Sequence, residues 1–406
     1  MMRAVPSLPP FLPLESVRVL DLTSSLAGPT STEILAALGA DVIKVEHPGR
    51  GDEARDWGPR FFEGGSVMFF SANAGKRSLA LDLKDERGRE ALLRLAERSD
   101  VAVQSLRPGT AEELGIGPDD LRARNPKLVY CTIGAFGRRG PLAAEPGYDP
   151  LMQAAAGIMS VTGEADRPPV RVGVSLVDIG TGVWAALAIV AALHEGRGRT
   201  LDLSLYETAL SLLPYQLSDV LAGAEAPGRH GTAFPLIAPY EVFATADGEL
   251  MIVAGNDRLF ASLCEVLGLP ELAGDPRFGS NPLRVEHREE LVSLLRPRLA
   301  ERSTEELLED LRAAGVPASP VLDVDEVARH EQTLATGMLQ ELAGRTIVAP
   351  PLSADGERVL HRSAPPLLGE HTAEILAAAD YEAAEIDRLT AAGVVRVGQP
   401  GKPPAR

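Results

Sequence analysis

Asp178 stands immediately before an apolar helical run, with Gly180 and Gly182 close behind it. An Asp at that place caps a helix by accepting hydrogen bonds from its first turn, and the local sequence alone favours this reading. The same carboxylate could also do chemistry, because a helix N-terminus supplies N–H donors near developing negative charge. The two glycines would let a substrate approach the backbone, or would only let helices pack closely. Tyr148 offers a phenol, a poor base at neutral pH but a good donor to a carbonyl or oxyanion; a half-buried packing tyrosine is the plainer reading. Lys76-Arg77 and Arg107 could grip phosphates, and Arg138-Arg139 less so, since a surface role suits that pair better.

The common catalytic signatures are missing. Gly75-Lys76 lacks the upstream glycine and the following Ser or Thr of a P-loop, and Ala27-Gly28-Pro29 after the first strand is not GxGxxG. HExxH and GxSxG do not occur, and the seven histidines have no ligand spacing. Carboxylates, hydroxyls and backbone donors are left to act, with no metal and no tightly bound cofactor.

The 406 residues are 45% hydrophobic and 24% charged, an ordinary globular balance. At this length two or three domains are expected. Aromatics make up only 4%, so Ala, Leu and Val must build the core. A net charge of −17 would repel nucleic acid and anionic membranes. The most apolar stretch, Val183 to Leu193, is too short to span a bilayer. Cys131 and Cys264 sit in apolar runs outside any CxxC pair, so a reducing cytoplasm is the expected compartment.

The first half alternates between strand and helix. Val17–Leu22, Asp41–Glu46, Ser78–Leu83, Val101–Val103 and Leu128–Ile133 read as strands. A helix opens at the capping-box spacing Thr30 to Glu33 and stops at Gly39, another covers Asp85–Ser99, and a short one covers Pro118–Arg124. This order predicts a Rossmann-like parallel sheet covered by helices. From Pro150 to Gly223 the chain reads as helical and rich in small residues. Asp247-Gly248 marks a hairpin, and Asp257–Gly268 and Ser303–Ala314 read as helices. The expected organisation is a flexible tail over 1–13, a large α/β domain over 14–224, a smaller α/β domain over 225–335, a return to the large domain over 336–397, and a second flexible tail over 398–406.

Further segments follow one another in a telling order. They are Arg18-Val19-Leu20-Asp21-Leu22-Thr23 with Ala27-Gly28-Pro29; Leu38-Gly39-Ala40-Asp41 running to Glu46; Pro48-Gly49-Arg50-Gly51-Asp52; and Asn73 with Lys76-Arg77-Ser78. Leu81-Asp82-Leu83-Lys84, Arg107-Pro108-Gly109, Gly147-Tyr148-Asp149, Val177-Asp178-Ile179 and Ala364-Pro365-Pro366-Leu367-Leu368-Gly369-Glu370-His371-Thr372 complete the series. Together they resemble the class III CoA-transferases, the CaiB–BaiF family. The resemblance implies a large Rossmann-like domain built from both chain ends, a smaller inserted α/β domain, and an interlocked homodimer. It implies that acyl-CoA and a small carboxylic acid are the substrates and that Asp178 is the nucleophile, forming aspartyl anhydride and aspartyl-CoA thioester intermediates. It implies that Ser24, Ser25, Leu26, His47, Asn73, Lys76, Arg77, Ser105, Leu106 and Arg107 lie along the CoA site.

The chain departs from the family pattern at several of these positions. Leu26 stands where formyl-CoA transferases carry a Gln, His47 where they carry an Arg, and Ser105-Leu106 where Asn-Phe is common. The α-methylacyl-CoA racemases of the same superfamily place a His where Tyr148 stands, so Tyr148 favours transfer over racemisation. A racemase or epimerase, and a non-catalytic CoA-binding homologue, are the alternatives.

Overall fold

The computed structural model describes residues 10–398. Apart from residues 10–13 and 398, the two expected tails lie outside the described residues. Leu14 N–H donates to Leu38 O at 3.0 Å, so the chain is already anchored there.

The chain forms two compact units. Unit 1 comprises Met1–Gly157, Val172–Ser218 and Gln332–Arg406, and unit 2 comprises Ile158–Arg171 and Asp219–Glu331. The second unit therefore adds Ile158–Arg171 to Asp219–Glu331, while the last part of the expected 225–335 segment, from Gln332, belongs to unit 1.

Unit 1 is built on a seven-stranded sheet. Its parallel strands are β1 (Arg18–Leu22), β2 (Asp41–Glu46), β3 (Arg77–Leu81), β4 (Val101–Gln104), β5 (Val129–Gly134) and β6 (Thr200–Ser204). Their spatial order is β3-β2-β1-β4-β5-β6, and Val395–Arg396 joins the free side of β3 as an antiparallel edge. The centre of the sheet, from Leu20 and Ile43 to Ala102 and Tyr130, is apolar and buried, as a sheet covered on both faces requires. β6 corrects the sequence reading, which made Pro150–Gly223 helical throughout. Leu201 and Leu203 alternate with Thr, Asp and Ser, a strand period, and the pairing with β5 is long-range.

Three helices matter for the site, α1 (Ala27–Ala37), α3 (Asp149–Ala155) and α4 (Leu176–Glu195), while α2 (Glu86–Ala96) packs Ala91, Leu92 and Leu95 into the core. Helix α1 starts earlier than the Thr30–Glu33 spacing suggests. Leu26 is its N-cap without a side-chain bond, and Pro29 sits in the first turn, where no N–H is needed. Gly39 follows its end at φ +112°, a conformation that favours glycine.

Helix α4 corrects a second expectation. It runs 20 residues with a mean hydropathy of 2.0, so by length and composition alone it could cross a membrane. In unit 1 its Val177, Thr181, Gly182, Ala185, Ile189 and Ala192 are buried. A Cβ on Gly182 would lie 2.8 Å from Ala27 O, so this glycine sets the close crossing of α4 on α1.

In unit 2, Tyr240–Ala244, Glu249–Val253 and Ala318–Pro320 form an antiparallel sheet. The hairpin turn falls at Asp247-Gly248, as its chemistry predicts, and Ser303 caps its helix by accepting from Glu306 N–H. Phe243, Ile252, Phe260, Leu263, Leu291 and Leu307 form the core.

Candidate active site

The parallel strands end on one side of the sheet at Leu22, Glu46, Gln104, Gly134 and Ser204, and ligands of α/β sheets gather on that side. The turn after β1 carries Ser24, Ser25 and Leu26. Ser24 N–H donates to Ser105 Oγ at 3.1 Å, which joins this turn to the one after β4. Ser25 adopts φ 69°; its N–H donates to Asp52 Oδ1 at 3.2 Å and its hydroxyl to Glu53 Oε1 at 3.0 Å. Leu26 is buried. His47 follows β2 and is exposed; its Nδ1 accepts from Gly49 N–H at 3.0 Å, leaving Nε2 to carry the proton. Leu106 and Arg107 line a pocket of about 260 Å3 beyond β4, β5 and β6, together with Gly134, Ala135, Arg138 and Asp202. Arg138 pairs with Asp202 at 3.2 Å there, so it is more than a distant surface residue.

Three expected CoA contacts are not part of this group. Lys76 is buried, and its ammonium donates to Asp21 Oδ2, Pro29 O and Asn73 Oδ1 at 3.0, 2.9 and 2.8 Å. All three of its protons are used, so it has none for a phosphate. Asn73 is equally committed, accepting from Lys76 and donating to Phe69 O at 2.8 Å. Arg77 opens β3 at the opposite end of the sheet, where it forks onto Asp41 at 2.9 and 2.7 Å and reaches Glu374 at 3.0 Å. Sequence adjacency made Lys76-Arg77 look like a phosphate grip. In the fold the pair closes a buried ion network and the far rim of the sheet.

Asp178 is the third residue of α4, not its cap. Ser175 holds the N-cap position and makes no side-chain cap bond. The cap comes from another helix: Asp149 Oδ2 accepts from Val177 N–H at 2.7 Å and from Asp178 N–H at 3.1 Å. Leu176 N–H donates to Val174 O and Ile179 N–H to Ser175 O. The first-turn donors are therefore occupied, which corrects the expectation that they face a developing charge at Asp178. Asp149 is itself buried, and Gln153 Nε2 donates to its Oδ1 at 2.6 Å. Burial, and then the neighbouring Asp149, push the Asp178 carboxyl up to about 7. Tyr148 is the N-cap residue of α3, adjacent to Asp149, and its side chain is half exposed. A Cβ on Gly147 would lie 2.9 Å from Ala135 Cβ, which seats this segment against the end of β5.

Asp149 and Gln153 stand beside Asp178, and the sequence reading singled out neither as a site residue. Asp149 stood inside the quoted Gly147-Tyr148-Asp149 motif, and Gln153 follows it at helical spacing. Neither signal reveals a contact with a helix that begins far along the chain.

Comparison with known proteins adds to this geometry. The family model described as CoA-transferase family III matches residues 14–372. The succinyl-CoA:glutarate CoA-transferase of Mus musculus is 39% identical, covering 94% of this chain and 90% of that protein. The acetyl-CoA:oxalate CoA-transferase of Acetobacter aceti is 40% identical over 89% of this chain and 95% of its own. A crystal structure of a CAIB/BAIF family protein from Brucella suis superimposes with a TM-score of 0.83 at 38% identity, covering 91% of this chain and 99% of that one.

Proposed function

The chain belongs to CoA-transferase family III and is a CoA-transferase, and from that premise we propose that Asp178 is its nucleophile. The Asp178 carboxylate attacks the carbonyl carbon of an acyl-CoA thioester. The C–S bond breaks, CoA leaves as thiolate, and an acyl–aspartyl anhydride remains. The thiolate then attacks the aspartyl carbonyl and releases the donor acid, leaving an aspartyl-CoA thioester. The acceptor carboxylate attacks that thioester, forming a second anhydride and freeing the thiolate once more. Thiolate attack on the acceptor's acyl carbon yields the new acyl-CoA and returns Asp178. No water and no net proton enter the cycle, and one difficult exchange becomes several easier steps.

The observation that carries this reading is the state of Asp178: partly buried, beside a second carboxylate, with its pKa pushed up to about 7. A carboxylate so poorly compensated is a stronger nucleophile than a solvated one, and perturbed groups of this kind mark functional sites. Because the α4 donors are occupied, we assign the oxyanion contact to the Tyr148 hydroxyl. CoA lies against the pocket beyond β4–β6, with Arg107 at a phosphate and His47 Nε2–H as a further donor. The relatives named for glutarate and oxalate point to a short dicarboxylic acid as one of the two acids. The enzyme acts as a cytoplasmic homodimer, with the exposed apolar face of α4 (Ile179, Val183, Trp184, Leu187) covered by the second copy. Sedimentation should report a dimer that Trp184→Glu dissociates.

The test of the mechanism is peptide mass spectrometry after incubation with a panel of acyl-CoAs and quenching with hydroxylamine. An acyl-CoA-dependent hydroxamate on Asp178 is expected, and Asp178→Ala should lose both the adduct and transfer. A folded Asp178→Ala variant with full transfer activity would sink the proposal. Arg107→Ala should raise the KM for acyl-CoA several-fold with little change in kcat.

A further inference from the structure

A chain of four groups at the start of α4 has only one consistent hydrogen-bond polarity. Val172 N–H donates to Gln153 Oε1 at 2.8 Å. A backbone N–H cannot reverse its role, so the Gln153 carbonyl must face it and the amide NH2 must point the other way. That NH2 meets Asp149 Oδ1 at 2.6 Å. The other oxygen, Asp149 Oδ2, accepts from Val177 and Asp178 N–H. Both oxygens of Asp149 thus face donors, and a protonated carboxyl would set O–H against N–H. Gln153 and Asp149 are both buried, so water does not relieve such a clash. The arrangement holds the Asp149 carboxyl with both oxygens accepting.

An acid in the first turn of a helix ordinarily gains from the free N–H groups and the positive end of the dipole there. At α4 that positive end is already matched by Asp149. Among the described residues, the facing stretches of α1 and of the helix Leu205–Ser211 contain no Lys or Arg. α1 presents the neutral stretch Ala27–Thr30 near Gly182. The helix Leu205–Ser211 presents Thr208, which accepts from Thr181 at 2.9 Å, while its Glu207 is engaged with Ser204 Oγ at 2.6 Å.

We propose that Asp149 is a positioning residue that withholds stabilising donors from the nucleophile: held in place by Gln153, it takes the first-turn N–H groups of α4 that would otherwise solvate Asp178. The reactivity of Asp178 is then set by a relay running from Val172 through Gln153 and Asp149. This inference rests on Asp178 being the nucleophile.

The experiment is the pH profile of kcat/KM for two variants of opposite charge effect, with the hydroxylamine trap run in parallel. Asp149→Asn removes the like charge and should move the acid limb to lower pH by about one unit or more, with a lower kcat at high pH. Gln153→Glu adds a negative charge to the relay and should move the same limb upward. Hydroxamate should still form on Asp178 in both. A merely structural role would lower activity in both without moving the limbs apart, and that outcome would overturn the proposal. If Asp149→Asn does not fold, the upward shift in Gln153→Glu decides alone, and an unmoved limb refutes the relay. Absence of hydroxamate on Asp178 in the wild-type enzyme would instead remove the nucleophile assignment itself.

Discussion

Beneath α1, Asp21 is surrounded by Lys76, Lys44, Thr23 and Thr32; at the start of α4, Asp178 has burial and Asp149 for company. Burial alone would raise both carboxyls. At Asp21 burial is outweighed by the two lysines and the Thr23 and Thr32 hydroxyls together, which hold the acid well below the usual carboxylate range. The neighbouring groups continue the pattern. Lys44 pairs with Asp52 at 2.8 Å, an ion pair without aligned hydrogen-bond geometry at Oδ2, and Arg55 forks onto Glu46 at 2.7 and 2.8 Å. Burial tends to lower Lys44, but Asp52, Asp21 and Glu46 raise it overall, whereas Lys76 is pushed down to about 8. Asp21, Asp52 and Glu46 each have a cation within 3.0 Å. At α4 the nearest partner is a like charge. One region uses buried carboxylates to fix the geometry of the β1–α1 turn, and the other leaves a carboxylate in want of a partner at the residue proposed as nucleophile.

That contrast can be broken at either end. Lys76→Met removes one cation from the matched cluster and should destabilise unit 1 by about 3–5 kcal/mol, as breaking a buried pair does. Chemical denaturation measures this, and activity per folded molecule should survive because Lys76 holds no substrate. A variant of full stability would show that the cluster is not the structural anchor described.

Asp178→Asn should act in the opposite sense, abolishing transfer while raising Tm at pH 8. The folded-state pKa of Asp178 lies above its unfolded value, so the wild type is most favoured below the unfolded pKa and loses stability as pH rises through about 7. Asn does not titrate, so its advantage should be greatest at pH 8 and vanish near pH 4. An equal Tm difference at both pH values would contradict the unmatched-carboxylate account.

In the wild type, kcat/KM should rise with pH through about 7 as Asp178 ionises. A profile flat from pH 5 to 8 would mean the group is compensated after all. The smallest effect is expected at Glu33, which burial pushes up to about 7 and which accepts from Ala74 N–H at 3.0 Å. Glu33→Gln keeps that bond and should raise Tm slightly above pH 7, with no gain below pH 4.

The sequence made the parallel sheet legible because each central strand is a short apolar run set off by turn residues and an intervening helix. It missed β6, where five residues of mixed polarity follow a long helix and only the pairing with β5 decides. The expected residues Ser24–Leu26 and Ser105–Arg107 follow neighbouring strands, and Ser24 N–H meets Ser105 Oγ there. The site was misread at Lys76-Arg77 because neighbours on a strand start point to different places: one enters the interior beneath α1, and the other stays on the rim. The role of Asp149 was hidden for a third reason. A helix capped by a side chain from another helix leaves no local signature at its own N-terminus.

Val395–Arg396 covers the outer side of β3, and Gly398 N–H bonds back to Gly369 O at 2.9 Å. A growing chain therefore completes β1 to β6 long before the piece that guards this flank has been made. Until then, β3 presents unpaired backbone to any strand it meets. Partial products stopped before residue 395 would carry all six parallel strands and yet have an open border. For this protein, the hazard of aggregation during synthesis falls on chains that already look nearly finished.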